Sequence, residues 1–450
     1  MTEQTSKPKC GVVGLGYVGL NLAYLFTDAG YPTVGYDIDQ QKISALKAGH
    51  DPTGEFEDNT FSDRPIEFTS SPAAIGDCAF VFIAVPSPLD EELSPDLSSL
   101  KMASESVGEH LSEDAVVVYE STLYPGAIRE ELRPAIRAGA RRQDDASFSV
   151  GYSPERIVPG ADTKGASDIT KLVSAEDDAT RDKLQALFED VIDGDVYPTD
   201  TIEIAEAAKC LENTQRDVNI ALINEFAMGA NALEFDLDPY AVLEAAGTKW
   251  AFHEYRPGIV GGHCIPVDPH YLRDKFESAG YEPQLLSSAR TVNEQMRTHV
   301  AEVTIDALKS GQEPTPPQQE GFLRGDGSGH LPNTRVLLLG LSYKPNVADL
   351  RNSPAFGVSE TLQDHGIEVV GYDPLDDEGV APETFDFDIQ PELDVRGFDG
   401  LVVLTPHDEL LSMDLEGVAD QMSTNPVFVD VGNAFETSTV TAAGFHYQRP

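Results

Sequence analysis

Short apolar runs and stretches of helical periodicity alternate along most of this chain. The apolar run Lys9–Val13 predicts a buried strand, and the spacing of the residues after it predicts a helix as far as Ala29. Gly30 ends that helix, and the run Thr33–Tyr36 predicts a second strand. Strands separated by helices are typical of a parallel sheet that has helices on both faces.

The turn after the first strand contains three glycines. Gly14, Gly16 and Gly19 form the pattern GxGxxG, and Asp37 follows eighteen residues after the third of them. Gly14 permits the tight turn, Gly16 lets the backbone approach a pyrophosphate, and Gly19 lets the helix pack closely on the strand. Amides at the helix N-terminus donate to the phosphates, while Asp37 accepts hydrogen bonds from the ribose hydroxyls and repels a 2′-phosphate. The pattern therefore predicts a dinucleotide site that favours NAD over NADP.

Two further strands are predicted over Ala79–Val85 and Val116–Tyr119, and each is followed by a polar turn, Pro86–Pro88 and Glu120–Thr122. Ligands of open parallel sheets bind at the carboxyl ends of the strands, so both turns are candidates for cofactor or substrate contacts. The alternative is that they are plain connecting turns.

The C-terminal part of the chain repeats this pattern. Strands are predicted over Arg335–Leu341 and Ile367–Tyr372, with a helix over Ser353–His365 between them. The second of these strands leads into Gly371-Tyr372-Asp373, just as the strand Thr33–Tyr36 leads into Gly35-Tyr36-Asp37. A second Rossmann-like domain is therefore predicted.

This second domain lacks the glycine fingerprint, because only Gly340 remains where the pattern would lie. Tyr343, Lys344 and Arg351 occupy that region instead. Side-chain cations can bind phosphate where a glycine turn is absent, so the domain is expected to bind a different phosphate compound. The alternative is that both cations are ordinary surface bases.

A long helix is predicted over Ile202–Leu233. Within it Lys209, Asn213 and Arg216 are spaced i, i+4 and i+7, which places them on one face. A solvated polar face is the usual explanation of such a row, but this chain is strongly acidic elsewhere. Two bases and an amide in line therefore favour a functional face.

Cys264 lies in the segment Gly261–His270, between a glycine pair and Pro266, and Asp268 follows four residues after it. Glycines allow another molecule to approach the backbone, and the proline stiffens the turn. A thiolate presented in this way can attack a carbonyl carbon, and Asp268 can hold or activate a water. The alternative is a buried turn with an inert cysteine.

The net charge of the chain limits the classes of protein to which it can belong. The 450 residues include 77 acidic and 31 basic ones, which gives a net charge of −46. Such a surface repels itself in dilute buffer but is screened in salt of about 1 M, so a halophilic source is inferred. The chain has no basic stripe, which argues against nucleic acid as a partner.

The four cysteines are far apart and show no spacing typical of a metal site. Free thiols fit a reducing cytoplasm best, so we expect a cytoplasmic protein without a bound metal. No run of eighteen or more apolar residues is present, so no membrane span is expected.

Together these segments resemble the UDP-glucose/GDP-mannose dehydrogenase family over nearly the whole chain. The motifs that carry the resemblance are GLGYVG at 14–19, VPSPLD at 85–90, EST at 120–122 with PG at 125–126, SPER at 153–156, the helix with Lys209, Asn213 and Arg216, GGHCIPVDPHYL at 261–272, YK at 343–344 and RNSP at 351–354. The Gly-His-Cys form and Arg156 are similar to the branch that oxidises UDP-N-acetylhexosamines. UDP-glucose enzymes more often have a serine before the cysteine and Phe or Leu after Ser-Pro-Glu.

The resemblance implies a role for each matching residue. Cys264 would be the nucleophile, and Lys209 a general acid/base or an oxyanion stabiliser. Asn213 and Asp268 would position water, and Glu155 would handle protons. The residues implied to contact NAD, beyond the three glycines, are Tyr17, Val18, Asp37, Ser87, Thr122 and Arg351. Those implied to contact the UDP-sugar are Arg156, Ile157, Lys209, Asn213, Arg216, Gly261, Tyr343 and Lys344.

The resemblance also implies an organisation: two Rossmann-like, doubly wound parallel-sheet domains joined by a central helical region on which a homodimer forms. We expect an NAD-binding domain at 1–200, a central helical dimerisation and catalytic domain at 201–310, and a UDP-binding domain at 335–450. Clustered Pro, Gln, Gly and Ser predict a flexible linker or insertion at 311–334.

The implied reaction is a four-electron oxidation of the C6 alcohol of UDP-N-acetyl-D-mannosamine or UDP-N-acetyl-D-glucosamine to the uronic acid. It consumes two NAD and passes through a thiohemiacetal and a thioester of the cysteine. UDP-glucose 6-dehydrogenase is the nearest alternative. A single-step NAD-linked hydroxyacid dehydrogenase, which needs no nucleophilic cysteine, and an inactive nucleotide-sugar binding protein are more distant ones. Cell-surface polysaccharide synthesis and protein glycosylation both remain open as the pathway.

Two positions depart from the family pattern. Ser87 stands where many relatives have a threonine, and it keeps the hydroxyl. The segment Val429–Asn433 lacks the Lys or Arg that many relatives place after the aspartate, so one phosphate or uracil contact has no base in the sequence nearby.

Overall fold

The computed structural model describes residues 7–141, 147–156, 169–235, 237–311, 330–376 and 379–450. Most of the predicted linker at 311–334 lies outside the described residues, and so does Ile157, one of the implied substrate contacts. Within the described ranges, no helix combines the length and the apolar character that a membrane crossing requires.

An eight-stranded sheet forms the N-terminal part. Its strands are β1 (Cys10–Val13), β2 (Thr33–Tyr36), β3 (Ile66–Thr69), β4 (Phe80–Ile83), β5 (Ala115–Tyr119), β6 (Phe148–Tyr152), β7 (Lys171–Ala175) and β8 (Val196–Pro198). Their order is β3-β2-β1-β4-β5-β6-β7-β8, and β7 runs antiparallel to β6 while the other neighbouring pairs are parallel. The helices between them are α1 (Tyr17–Asp28), α2 (Gln40–Lys47), α3 (Ser98–Gly108), α4 (Arg133–Ala140) and α5 (Asp178–Glu189).

Four helices follow: α6 (Ile202–Asn231), α7 (Pro239–Gly247), α8 (Asp268–Ser278) and α9 (Gln284–Gly311). The second sheet then contains β9 (Arg335–Leu339), β10 (Glu368–Tyr372), β11 (Asp388–Ile389), β12 (Gly400–Val403), β13 (Val427–Asp430) and β14 (His446–Gln448). Its order is β11-β10-β9-β12-β13-β14, and its neighbouring pairs are parallel. Its helices are α10 (Ala355–Asp364), α11 (Ala381–Thr384), α12 (Asp408–Leu411), α13 (Leu415–Ala419) and α14 (Thr437–Ala442).

The chain divides into two compact units. The first comprises Met1–Asn213 with Val267–Glu282, and the second comprises Thr214–Pro266 with Pro283–Pro450. The first unit therefore contains the eight-stranded sheet and α8, and the second contains the six-stranded sheet, α7 and α9.

Apolar packing on both faces explains why the strands of the second sheet show no alternation. On β9, Val336 and Leu338 belong to one buried cluster, whereas Leu337 and Leu339 belong to another. Successive side chains of a strand point to opposite faces, so a strand between two apolar layers must be apolar at each position.

The predicted fold class is confirmed, with two Rossmann-like sheets and a helical region between them in the sequence. The strand Thr33–Tyr36 is observed at the predicted residues. The helix predicted over Ser353–His365 begins later, at Ala355, because the Ser353 hydroxyl accepts a hydrogen bond from the Ala355 amide at 3.0 Å and so precedes the helix. The antiparallel β7 is a departure from the parallel sheet that the sequence predicted.

Two glycines set the distance between α3 and α4. A Cβ on Gly108 would lie 2.1 Å from the Ile136 carbonyl oxygen, and a Cβ on Gly139 would lie 2.1 Å from that of Glu105. Neither distance accommodates a side chain, so the two backbones approach as closely as they do only because both positions are glycine.

Gly139→Ala is expected to destabilise the protein by about 1–3 kcal/mol, because the added methyl group forces the helix backbones apart. Thermal unfolding of the variant measures the loss. Gly247→Ala, in α7, is the matched control: its Cβ would have Glu254 Oε1 at 3.4 Å, an ordinary contact. Its stability should stay within about 0.5 kcal/mol of the wild type. Equal melting temperatures for Gly139→Ala and the wild type would contradict the close-packing argument.

Candidate active site

The turn with the GxGxxG pattern, residues 14–19, is called the fingerprint turn below. Its first and third glycines are closely packed, whereas its central glycine faces open space. Gly14 has a φ of +88°, and a Cβ there would lie 2.9 Å from the Ala84 carbonyl oxygen. A Cβ on Gly19 would lie 1.8 Å from the Gly14 oxygen, whereas one on Gly16 would have no neighbour within 4 Å among the described residues. The next residue, Tyr17, begins α1, so the helix N-terminus borders this open space. The turn thus fits a pyrophosphate, which needs both a close approach and amide donors.

Asp37 is a buried carboxylate that also holds the fingerprint turn. Its Oδ2 accepts hydrogen bonds from the Leu15 amide at 2.8 Å and from Lys42 Nζ at 2.9 Å, and its Oδ1 accepts one from the Asp39 amide at 2.9 Å. Burial alone would raise the pKa of Asp37, but these hydrogen bonds outweigh it and hold the pKa below its usual value. The carboxylate is therefore ionised and can only accept hydrogen bonds, as expected of a partner of ribose hydroxyls.

The two polar turns after β4 and β5 lie side by side. Ser87 Oγ donates a hydrogen bond to the Thr122 carbonyl oxygen at 2.9 Å, and Ser121 Oγ donates to that of Val85 at 2.6 Å. The hydroxyl of Tyr271, on α8, donates to the Ser87 carbonyl oxygen. The turns are therefore cross-linked at the carboxyl edge of the sheet, where ligands of such sheets bind.

Three of the implied site residues form a buried cluster between α6 and α8. Asn213 Nδ2 donates to Asp268 Oδ2 at 2.6 Å, and Lys209 Nζ lies 3.7 Å from the same oxygen. Asp268 is only 2% exposed. Burial raises the pKa of Asp268, while Lys209 and then Asn213 oppose that shift. The cluster combines an ammonium, an amide and a carboxylate, which can hold a water and exchange protons.

Glu155 belongs to a charged cluster that the sequence did not reveal. Lys171, the first residue of β7, places its Nζ 3.2 Å from Glu155 Oε2 and 2.7 Å from Glu120 Oε2. Lys171 was not predicted as a site residue, and Glu120 was predicted only as part of the candidate turn Glu120–Thr122. Arg156, the next residue after Glu155, pairs with Glu212 at 2.8 Å.

In the second unit, the Cys264 segment packs on the loop between β9 and α10. Gly262 has a φ of +79°, and a Cβ there would lie 2.6 Å from the Tyr343 ring. A Cβ on Gly261 would lie 3.0 Å from the Asn352 carbonyl oxygen, and the Asn352 side-chain amide donates to the Gly262 carbonyl oxygen at 2.9 Å. Cys264 is partly exposed, whereas Cys10, Cys78 and Cys210 are buried. Tyr343 and Asn352 therefore leave room only for glycine at positions 261 and 262. The same segment carries Cys264, the accessible thiol of the chain.

Arg351 lies in the same loop and forms an ion pair with Asp349. Its Nη2 is 2.5 Å from Asp349 Oδ2, and Asp349 Oδ2 is in turn 3.9 Å from His263 Nδ1. The pKa of Arg351 is raised first by Asp349, with smaller electrostatic contributions from Tyr343 and Cys264. Arg351 therefore interacts electrostatically with Cys264.

Of the remaining predicted residues, Lys344 is partly buried next to Tyr343 and Arg216 is exposed on α6. A base from further along the chain lies beside Asn433, because Arg449 Nη1 donates to Asn433 Oδ1 at 3.1 Å. Arg449 also pairs with Asp238 at 2.9 Å. Arg449 follows β14 directly, at the same edge of the sheet as Asn433, and no local pattern in the sequence indicates this pairing.

The described site residues fall into both units. Glu155, Lys209, Asn213 and Asp268 lie in the first unit, together with the fingerprint turn, Asp37, Ser87 and Thr122. Arg216, Gly261, Cys264, Tyr343, Lys344 and Arg351 lie in the second unit.

Three family models match this chain. They describe the NAD binding domain (residues 8–192), the central domain (residues 203–295) and the UDP binding domain (residues 337–437) of the UDP-glucose/GDP-mannose dehydrogenase family. The matches follow one another along the chain and include the fingerprint turn, the Cys264 segment and the Tyr343 loop.

Several known proteins are similar to this chain over nearly their whole length. The chain is 38% identical to Protein CapL of Staphylococcus aureus, over 89% of this chain and 90% of that protein. It is 36% identical to UDP-N-acetyl-D-glucosamine 6-dehydrogenase of Pseudomonas aeruginosa, over 94% of this chain and 96% of that protein. The solved structure of UDP-D-ManNAc dehydrogenase from Pyrococcus horikoshii has a TM-score of 0.81 at 29% identity and covers 98% of both chains.

Gly262→Ala is expected to displace the Cys264 segment, because the new methyl group collides with the Tyr343 ring and its left-handed backbone costs about 1–2 kcal/mol. We expect a lower melting temperature and faster alkylation of Cys264 by iodoacetamide. Gly258→Ala is the control, since a Cβ at Gly258 has no neighbour within 4 Å in the described part of the chain. Identical alkylation rates for both variants and the wild type would contradict this packing.

Proposed function

Because this chain belongs to the UDP-glucose/GDP-mannose dehydrogenase family, we propose that it oxidises the C6 alcohol of a UDP-N-acetylhexosamine to the carboxylate, with two NAD. UDP-N-acetyl-D-glucosamine and UDP-N-acetyl-D-mannosamine are the two proposed substrates, since relatives that align with more than 90% of this chain have these sugars in their names. The observation that carries the chemistry is the Lys209–Asn213–Asp268 cluster, whose aspartate lies four residues after the accessible Cys264 in the sequence.

The fingerprint turn, Asp37 and the cross-linked turns with Ser87 and Thr122 would hold the cofactor. Bound NAD supplies a hydride acceptor for each of the two oxidation steps. Arg351, which interacts electrostatically with Cys264, is proposed to contact the cofactor as well.

In the first step, a base near C6 takes the hydroxyl proton while the carbon loses hydride, which leaves an aldehyde. Glu155 is the proposed proton acceptor, and Lys209 is proposed as a general acid/base or an oxyanion stabiliser. The Cys264 thiolate then bonds to the aldehyde carbon, and Lys209 stabilises the oxygen that becomes negative. The covalent bond retains the half-oxidised sugar until the second oxidation.

The second loss of hydride converts this adduct to a thioester. Asp268 and Asn213 would hold the water that attacks the thioester carbon, and the bond to the Cys264 sulfur then breaks. The products are the carboxylate and the free thiol. Asp268 suits this role because the ammonium of Lys209 beside it can balance a change in its charge.

The UDP-sugar is proposed to contact Arg156, Ile157, Arg216, Gly261, Tyr343 and Lys344. Arg449 is added as a candidate for the phosphate or uracil contact that many relatives make with a base after Asp430, because it reaches Asn433. The predicted domain limits, 1–200, 201–310 and 335–450, remain part of this proposal. A cytoplasmic location is proposed as well, because the four cysteines all lie within the described residues and form no disulfide.

A homodimer on α6 completes the proposal. Ile204, Leu211 and Leu222 are 49%, 58% and 62% exposed, and their spacing of seven and eleven residues puts them on one face of the helix. A row of exposed leucine and isoleucine on a 30-residue helix is typical of an interface, and a second copy of this chain is the proposed partner.

Complete oxidation should yield two NADH for each UDP-sugar, and Cys264→Ala should form no acid while it still binds NAD. Cys78→Ala, at a buried cysteine, is the control and should keep the yield of two. NADH absorbance and product mass, measured in high salt over a panel of UDP-sugars, give the result. One NADH for each sugar would indicate a single-step dehydrogenase, binding without turnover an inactive binding protein, and preference for UDP-glucose the nearest alternative. Unchanged acid formation in Cys264→Ala would refute covalent catalysis.

Leu222→Asp is expected to weaken self-association at least tenfold, because it places a charge in the proposed apolar interface. Sedimentation velocity over a concentration series measures it. Leu411→Asp, at a 43% exposed leucine of α12, should associate like the wild type. A monomeric wild type at all concentrations would rule the dimer out.

A further inference from the structure

Lys171 is a buried cation between two carboxylates. Its side chain is 8% exposed, that of Glu120 is fully buried, and that of Glu155 is 14% exposed. The distances from Nζ are 2.7 Å to Glu120 Oε2 and 3.2 Å to Glu155 Oε2, and the ring of Phe188 lies 5.4 Å from Nζ. Because little water reaches this cluster, its charges interact more strongly than surface pairs do.

The three charges do not cancel, because one ammonium faces two carboxylates. Burial raises the pKa of Glu120 to about 8, with Lys171 opposing that shift and Glu155 adding to it. Burial would lower the pKa of Lys171, but Glu120 and Glu155 outweigh it, so the ammonium keeps its charge. Glu120 is therefore the group that retains a proton near neutral pH.

A second observation supports a protonated Glu120. Its Oε1 is buried and has no hydrogen-bond partner among the described residues. An ionised carboxylate oxygen in that position would carry a large desolvation cost, which a neutral carboxyl group avoids.

The other groups around the cluster do not replace Lys171. Tyr152 is buried near Glu120, and burial raises its pKa far above the usual value, so it stays neutral. Arg156 directs its guanidinium to Glu212 and to the Thr170 carbonyl oxygen. Among the described residues, Lys171 is thus the cation that forms an ion pair with Glu155.

We propose that Lys171 is a positioning residue for the oxidation: it holds the Glu155 carboxylate ionised and in place, while protonated Glu120 fills its other side. The inference rests on the proposed function, in which Glu155 accepts a proton from the substrate. Glu120 and Lys171 act through Glu155.

Lys171→Met removes the cation at similar volume. We expect kcat to fall about tenfold or more at neutral pH, and the acidic limb of the kcat–pH profile to move up by about one pH unit or more. Lys171→Arg keeps the charge and should restore the limb to its wild-type position. A folded Lys171→Met with wild-type kcat and an unmoved limb would overturn the proposal.

A second variant covers the case in which Lys171→Met does not fold. In Glu120→Leu/Lys171→Met two buried polar groups are replaced by apolar ones, a change that proteins tolerate. The double variant removes the Lys171 ammonium from Glu155, so the same fall in kcat and the same shift of the limb are expected. A wild-type profile in this folded double variant would overturn the proposal as well.

Glu176→Gln, which breaks the exposed pair with Arg133 in the same unit, is the matched control and should leave the profile unchanged.

The outcomes separate this inference from the proposed function. A wild type that yields two NADH, together with Lys171 variants that match it, would keep the proposed function and overturn only the role of Lys171.

Discussion

Both sheets depend on a backbone turn that passes too close to a neighbouring strand to carry a side chain. Gly14 in the first sheet and Gly340 in the second have φ values of +88° and +73°, and a Cβ at either would collide with a carbonyl oxygen beyond the adjacent strand. An aspartate at the end of the next strand locks each turn: Asp37 accepts from the amide after Gly14, and Asp373 from the amide after Gly340. The loops that carry the proposed ligand contacts leave the sheets from these turns.

The two turns differ in which of their groups remain available to a ligand. In the first, the chain enters α1 within three residues, and Asp37 remains beside the open face of the turn. In the second, a loop of fourteen residues precedes α10, and the Asp373 carboxylate accepts hydrogen bonds from Ser342 and lies 3.4 Å from His407 Nε2. Burial would raise the pKa of Asp373, but His407 and the hydrogen bonds outweigh it and bring that pKa to about 2. Only the first turn has the form of a dinucleotide site, and the second uses its aspartate to support the loop with Tyr343.

The sequence predicted these parts because they follow from local rules. Glycine spacing, short apolar runs and the i, i+4 spacing on α6 each depend on residues close together in the chain. The pairs that it missed join distant positions: Lys171 meets a carboxylate 51 residues away, and Arg449 meets Asp238 211 residues away. Nothing local distinguishes a lysine that opens a buried strand from one that ends at the surface. The direction of β7 was missed for the same reason, since pairing direction depends on the path of the chain between strands.

The burial of Lys171 has a consequence for how this acidic protein responds to brine. At about 1 M salt, mobile ions screen charges over about 3 Å, so exposed pairs such as Arg133 with Glu176 are weakened. Mobile ions have little access to Lys171, whose side chain is 8% exposed, so its interaction with Glu155 and Glu120 changes little between dilute and concentrated solution. Concentrated salt can therefore screen the repulsion of the acidic exterior without changing the ionisation of this internal group.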